Sequence, residues 1–103
     1  MPTHSPHDQI FLDKLRALVE QHMSNETFGV SELATEAGMS RSNLLRKLKK
    51  LTGLSVSQYI REVRLQEAMR LLQEGSLNVT EVSDQVGFSS TSYFVKCFRE
   101  QYG

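Results

Sequence analysis

Cysteine occurs once in the 103 residues, at Cys97. One thiol cannot close an internal disulfide, which fits a reducing compartment, and the expected location is the cytoplasm. No apolar run approaches the ~18 residues of a membrane helix, so no membrane contact is expected. No charged-then-apolar leader opens the chain, and secretion is not expected either. Ligand-like spacing is missing as well: His4, His7 and His22 have no Cys or carboxylate at suitable intervals, so no metal site is expected. There is no phosphate-cradling Gly loop and no acid–base pair, which argues against an enzyme and against a cofactor. No segment alternates in the strand pattern. Net charge is absent too, with 12 Lys and Arg against 12 Asp and Glu.

The charges that are present are not evenly spread. Residues 1–36 carry Asp8, Asp13, Glu20, Glu26, Glu32 and Glu36 against only Lys14 and Arg16. Residues 37–60 carry Arg41, Arg46, Lys47, Lys49 and Lys50 and no acid. Screening limits electrostatics to about 10 Å at ordinary salt, so a local cluster can attract phosphate in a neutral protein. On charge alone the cluster reads equally as a solvated helix face.

Capping signals divide the chain into helices. Met1 to Ser5 is patternless and is expected to be disordered. Ser5 as N-cap, Pro6 at the first position and Asp8 in the first turn open a helix ending near Ser24–Asn25. Phe11, Leu15, Leu18 and Val19 form its core face. Short and longer helices follow over Ser31–Ala37 and Arg41–Leu51, the latter with Leu44, Leu48 and Leu51 inward. Ser55 with Gln58 caps a long helix to about Gln73, and Asn78 with Glu81 caps a short one. A last helix starts at about Thr91.

An internal repeat organises these pieces. Val30–Ala34 matches Val79–Ser83, and Ala37–Ser40 matches Val86–Ser89, both at an offset of 49. Beyond that the offset is 50: Leu44 with Phe94, Arg46 with Lys96, Leu48 with Phe98, Lys49 with Arg99. The second copy therefore has one extra residue in or just after its turn. Each copy is a short helix, a Gly-centred turn (Gly38, Gly87) and a longer helix, the helix-turn-helix arrangement. Met39 and Phe88 after each Gly are placed to plug the angle between the helices. The expected fold is all-α: a first unit over 6–54, a linker helix over 55–75 and a second unit over 76–103. The linker shows Val56, Tyr59, Ile60 and Val63 on one side and Leu65, Met69 and Leu72 on another, which suits a helix packed against both units. Tyr93, Phe94 and Cys97 read as core or partly buried positions rather than as stacking or nucleophilic groups.

An α-helix fits the major groove, so the polar side of each longer helix is the candidate base reader. In the first unit Ser42, Asn43 and Arg46 are the candidates; Leu45 could touch a thymine methyl. Arg41, Lys47, Lys49, Lys50 and Arg99 are the candidates for phosphate, joined by backbone N–H groups near Ser31, Ser55 and Thr80. Neutral net charge leaves open a protein-interaction module that keeps the helix-turn-helix body without reading DNA.

The run Gly87-Phe88-Ser89-Ser90-Thr91-Ser92-Tyr93-Phe94-Val95-Lys96-Cys97-Phe98-Arg99 resembles the signature of the AraC/XylS family of bacterial transcription regulators. The stretches Arg61–Leu72, Arg46–Lys49 and Leu51–Gly53 are similar to the family as well, and the resemblance extends from about Phe11 to Gly103. It implies base reading at Ser42, Leu45 and Arg46, and at Thr91, Ser92 and Lys96 in the second unit. It also implies double-stranded DNA and RNA polymerase as partners. The upstream stretch 11–23 together with 46–53 looks most like output domains of hybrid two-component regulators. The family pattern continues past its final Gly with a Pro, an aromatic and an Arg, whereas this chain stops at Gly103. The expectation is an excised C-terminal piece, monomeric by itself, with dimerisation coming from regions outside it.

Overall fold

The computed structural model describes residues 4–103, and among them every regular element is a helix. In chain order these are α1 (Pro6–Gln21), α2 (Val30–Ala37), α3 (Arg41–Thr52), α4 (Val56–Glu74), α5 (Val79–Gln85) and α6 (Thr91–Tyr102). The patternless start falls mostly on residues 1–3, outside the described residues. Ser5 is already the N-cap of α1, its Oγ accepting from the Asp8 N–H at 3.2 Å.

The caps show why each helix starts where it does. Ser55 Oγ accepts from Gln58 N–H at 3.2 Å while Gln58 Oε1 accepts from Ser55 N–H at 2.9 Å. Asn78 and Glu81 exchange the same pair of bonds at 2.8 and 2.9 Å. A seven-residue helix cannot persist on propensity alone, so α5 depends on this cap and on packing. Asn78→Ala is expected to cost about 1 kcal/mol, lowering Tm by roughly 4–8 °C in a thermal melt followed by circular dichroism. α2 begins one residue earlier than its sequence pattern suggests, because Glu32 Oε1 takes the Gly29 N–H at 2.9 Å.

α1 ends at Gln21, short of the expected Ser24–Asn25. Asn25 causes the early stop. Its Oδ1 accepts from Thr27 N–H at 3.0 Å and Thr27 Oγ1 at 2.7 Å, and its carbonyl accepts from Phe28 N–H at 3.0 Å, so the chain turns here instead of continuing as helix. His22 stacks flat on Phe28 with ring centres 4.3 Å apart and closes the loop.

Two hydrophobic cores form, and α4 serves both. Leu15, Val19, Leu33, Leu44 and Leu48 meet Val56, Tyr59, Ile60 and Val63 in the first core. Val82, Val86, Phe88, Phe94 and Cys97 meet Leu65, Ala68 and Leu71 in the second. Each fully buried leucine contributes about 2 kcal/mol. The changeover falls between Val63 and Leu65. Ala68 and Leu71 carry the second face of α4, with Leu72 only partly buried, so the expected Met69 is not the main contact.

The two units are built unequally around the same repeat. The first has α1 as a third wall. Among the described residues no third helix of this kind packs on the second, whose core is filled with aromatics, Phe94 meeting Phe88 edge-on at 5.2 Å and Phe98 at 5.7 Å. Cys97 is buried, while its counterpart Lys47 extends to α1 and sits 4.4 Å above the Phe11 ring. Tyr93 departs from expectation: it is 48% exposed, because it lies a third of a turn away from the buried Phe94.

Candidate nucleic-acid interface

Each turn that aims a candidate recognition helix is closed by backbone geometry. At the first, Gly38 has φ +70° and Met39 N–H donates to the Ala34 carbonyl at 3.0 Å. At the second, Gly87 has φ +82° and Phe88 N–H donates to the Ser83 carbonyl at 3.0 Å. The next helix is capped by Ser40 in the first unit and Ser90 in the second, with Ser89 as the additional residue of the longer turn.

On α3, Leu44 and Leu48 point inward, and Ser42, Asn43, Leu45, Arg46, Lys49 and Lys50 are all exposed. Arg46 lies opposite the buried stripe, half a turn or more from both leucines. Its Nη1 donates to Asn43 Oδ1 at 2.9 Å, which steadies the guanidinium without covering it. Leu45 is 45% exposed, an unusual setting for leucine that leaves an apolar spot beside the polar ones. On α6, Ser92 and Lys96 are exposed and Thr91 and Val95 are half-buried around the inward Phe94. The equivalences are thus Ser42 with Ser92, Leu45 with Val95, Arg46 with Lys96 and Lys49 with Arg99. On each helix these positions lie away from the inward residues, Leu44 and Leu48 on α3 and Phe94 and Cys97 on α6.

Three of the predicted phosphate residues, Arg41, Lys49 and Lys50, border this surface on α3, and Arg99 does so on α6. Lys47, also exposed, has its ammonium 4.4 Å from the centre of the Phe11 ring, on the side facing α1. Among the described ion pairs, none involves Arg41, Arg46, Lys49, Lys50, Lys96 or Arg99. Arg70 of α4 is different. It is gripped by Glu67 at 2.7 Å and Glu74 at 2.8 Å, and is neutralised on its own helix.

A groove beside α3 gathers the starts of three helices: Val30 of α2, Arg41 and Ser42 of α3, and Val56 and Ser57 of α4 beside the cap Ser55. Unpaired N–H groups and the positive ends of helix dipoles favour anions at such places. The α2 start lies at Val30, one residue before Ser31. Thr80 is the second residue of α5.

One residue of evident consequence went unremarked in the sequence. Arg64 is 6% exposed, and no carboxylate is bonded to it. Its Nη1 donates to the Gly87 carbonyl at 2.6 Å, and its Nη2 donates to the carbonyls of Asn25 at 2.8 Å and Phe28 at 3.3 Å. Burial pushes its pKa below the ordinary arginine value, yet a guanidinium stays protonated in such a setting. A signal for it existed: a charged residue between Val63 and Leu65, the last contact of one apolar face and the first of the other.

A helix-turn-helix domain family matches residues 33–103. Histidine kinase P4 of Formosa agariphila is 39% identical over 95 residues, covering 92% of this chain and 7% of the kinase. A transcriptional regulator of Chromobacterium violaceum, described as having an AraC-type DNA-binding domain, shares the fold with a TM-score of 0.83 at 30% identity, covering 95% of this chain and 87% of that one. The DNA-binding domain of the global transcriptional factor AdpA, solved in complex with a target DNA, aligns with a TM-score of 0.79 at 34% identity over 89% of this chain and 82% of that one. The chain spans a quarter or less of the length of the first curated relatives it matches. With its repeated helix-turn-helix units, the chain belongs to the AraC-type helix-turn-helix domains, a family of DNA-binding transcription regulators.

Proposed function

We propose that this domain binds double-stranded DNA sequence-specifically as the output part of a transcription regulator, with α3 and α6 in two successive major-groove segments. The repeated exposed positions carry this reading: Ser42, Arg46 and Lys49 recur as Ser92, Lys96 and Arg99 on two helices joined by one spacer. Residues 6–54 and 76–103 act as the two readers and 55–75 as the spacer. The 19 residues of the spacer helix α4 span about 28 Å, of the same order as the ~34 Å between successive major-groove segments on one DNA face.

Ser42, Leu45 and Arg46, with Asn43 steadying Arg46, read bases in the first segment. Thr91, Ser92 and Lys96 face the second. Arg41, Lys47, Lys49, Lys50 and Arg99 take phosphates, together with the helix starts around Ser55. The kinase relative and its small shared fraction support an output domain attached to two-component signalling machinery in the cytoplasm, where the full-length regulator would meet RNA polymerase. The isolated piece acts as a monomer.

The test is a salt titration on duplexes selected by the chain from a random pool. About five phosphate contacts require log affinity to fall with log salt at a slope near −4 to −5. A flat slope, or no binding to any duplex at low salt, would instead favour a helix-turn-helix body used for protein contacts.

A further inference from the structure

Arg64 hydrogen-bonds to both units. Its neighbours along α4, Val63 and Leu65, belong to different cores. Its two terminal nitrogens divide between the units: Nη1 takes the Gly87 carbonyl in the α5–α6 turn, while Nη2 takes Asn25 and Phe28 in the α1–α2 loop. Gly87 itself lies against the Met23 carbonyl of that loop, so the second recognition turn rests on the first unit. Met23 is the residue whose side chain packs on both cores.

An apolar contact between units would tolerate small rotations. A planar fork bonded to carbonyls on both sides does not, because each bond fixes a direction. A buried charge answered only by carbonyls is also a costly way to gain stability, which fits a residue retained for geometry. Lysine would bring the charge but a single nitrogen, unable to hold both loops at these positions. We propose that Arg64 is a positioning residue that fixes the angle between the two helix-turn-helix units, and thereby the half-site spacing that the domain accepts.

The spacing arm of the test rests on DNA reading by both units; the other arm does not. For the latter, spin labels at Ala17→Cys in α1 and Glu100→Cys in α6 report the inter-unit distance in the free protein, with the buried Cys97 left in place. The expected result is one narrow distance distribution with Arg64 and a broad one with Arg64→Lys or Arg64→Gln, at unchanged helical content. A narrow distribution in both variants would overturn the proposal. So would loss of helical content in both, since a residue that only orients two finished units leaves each core intact. In the DNA arm, duplexes selected by the parent chain are compared with the same duplexes carrying one inserted base pair, which rotates the second half-site by roughly 35°. The parent should lose about tenfold or more in affinity on insertion, as the linked second contact is forfeited. Arg64→Lys should bind both duplexes within about threefold of each other, its loss lying in the parental spacing alone. An Arg64→Lys variant that keeps the parental ratio would refute the spacing role. Absence of DNA binding by the parent would count against DNA reading and leave the label experiment to decide on Arg64.

Discussion

Gly87→Ala is expected to destabilise the domain by about 3 kcal/mol or more, while Gly38→Ala at the equivalent turn costs about 1 kcal/mol. Both glycines are left-handed, with φ +82° and +70°, so both substitutions meet the same backbone penalty. Their surroundings differ. A Cβ at Gly38 meets nothing within 4 Å. One at Gly87 falls 2.5 Å from the Met23 carbonyl oxygen and closer still to Arg64 Nη1, with Arg64 Cζ at 2.7 Å. Backbone and a buried, triply bonded guanidinium cannot move aside as a free side-chain tip would, so the overlap adds its own cost. For a domain of this size the two figures correspond to a fall in Tm of roughly 5 °C for Gly38→Ala and 15 °C or more for Gly87→Ala. Urea unfolding of the two variants side by side checks it. Equal losses would mean that the second turn relaxes away from Arg64 without penalty, and the inter-unit joint would then be looser than its geometry indicates.

That contrast shows how far the sequence could be read. Gly38 and Gly87 look alike in the repeat, and both are legible as turn residues because a left-handed backbone is a local requirement. The close approach at Gly87 is not local: it depends on Met23 and Arg64, 64 and 23 positions away in sequence, and no pattern within a repeat unit encodes it. Helices were legible for the same reason as the turns. Ser55 with Gln58 and Asn78 with Glu81 announce their caps within four residues, whereas Asn25 stops α1 through a turn that overrides continuing helical propensity. At the interface, the exposed side of α3 follows from the Leu44–Leu48 stripe alone. The placement of Lys47 beside the Phe11 ring does not, since it depends on α1 passing close enough to offer that ring. Aromatic character alone predicts Tyr93 for the core, but its position next to the inward Phe94 turns it toward solvent.

Arg46→Ala is expected to cost about 10- to 100-fold in discrimination at one base pair of the selected site, with far smaller losses on duplexes already changed there. A bidentate arginine–guanine contact is worth about 1–3 kcal/mol of discrimination. Arg46 is placed for it: it lies opposite the buried stripe of α3, is free of any carboxylate among the described ion pairs, and is steadied by Asn43 Oδ1 at 2.9 Å. That hydrogen bond uses one of the five guanidinium N–H groups, leaving the rest of the fork to meet two acceptors on a base edge. Lys50→Ala should behave differently. A phosphate contact orients the protein and carries no base information, so affinity should drop by a similar factor on every duplex and the salt slope should shrink by about one. Asn43→Ala falls between the two, releasing the guanidinium to more rotamers while leaving its charge in place, so a modest loss confined to the same base pair is expected. Titrations on the matched duplex and its single-base-pair variants separate these outcomes. If Arg46→Ala lowers affinity equally on all of them, Arg46 is a phosphate ligand, and base reading by the first unit passes to Ser42 and Leu45, whose short reach would favour a thymine methyl and its neighbour over guanine.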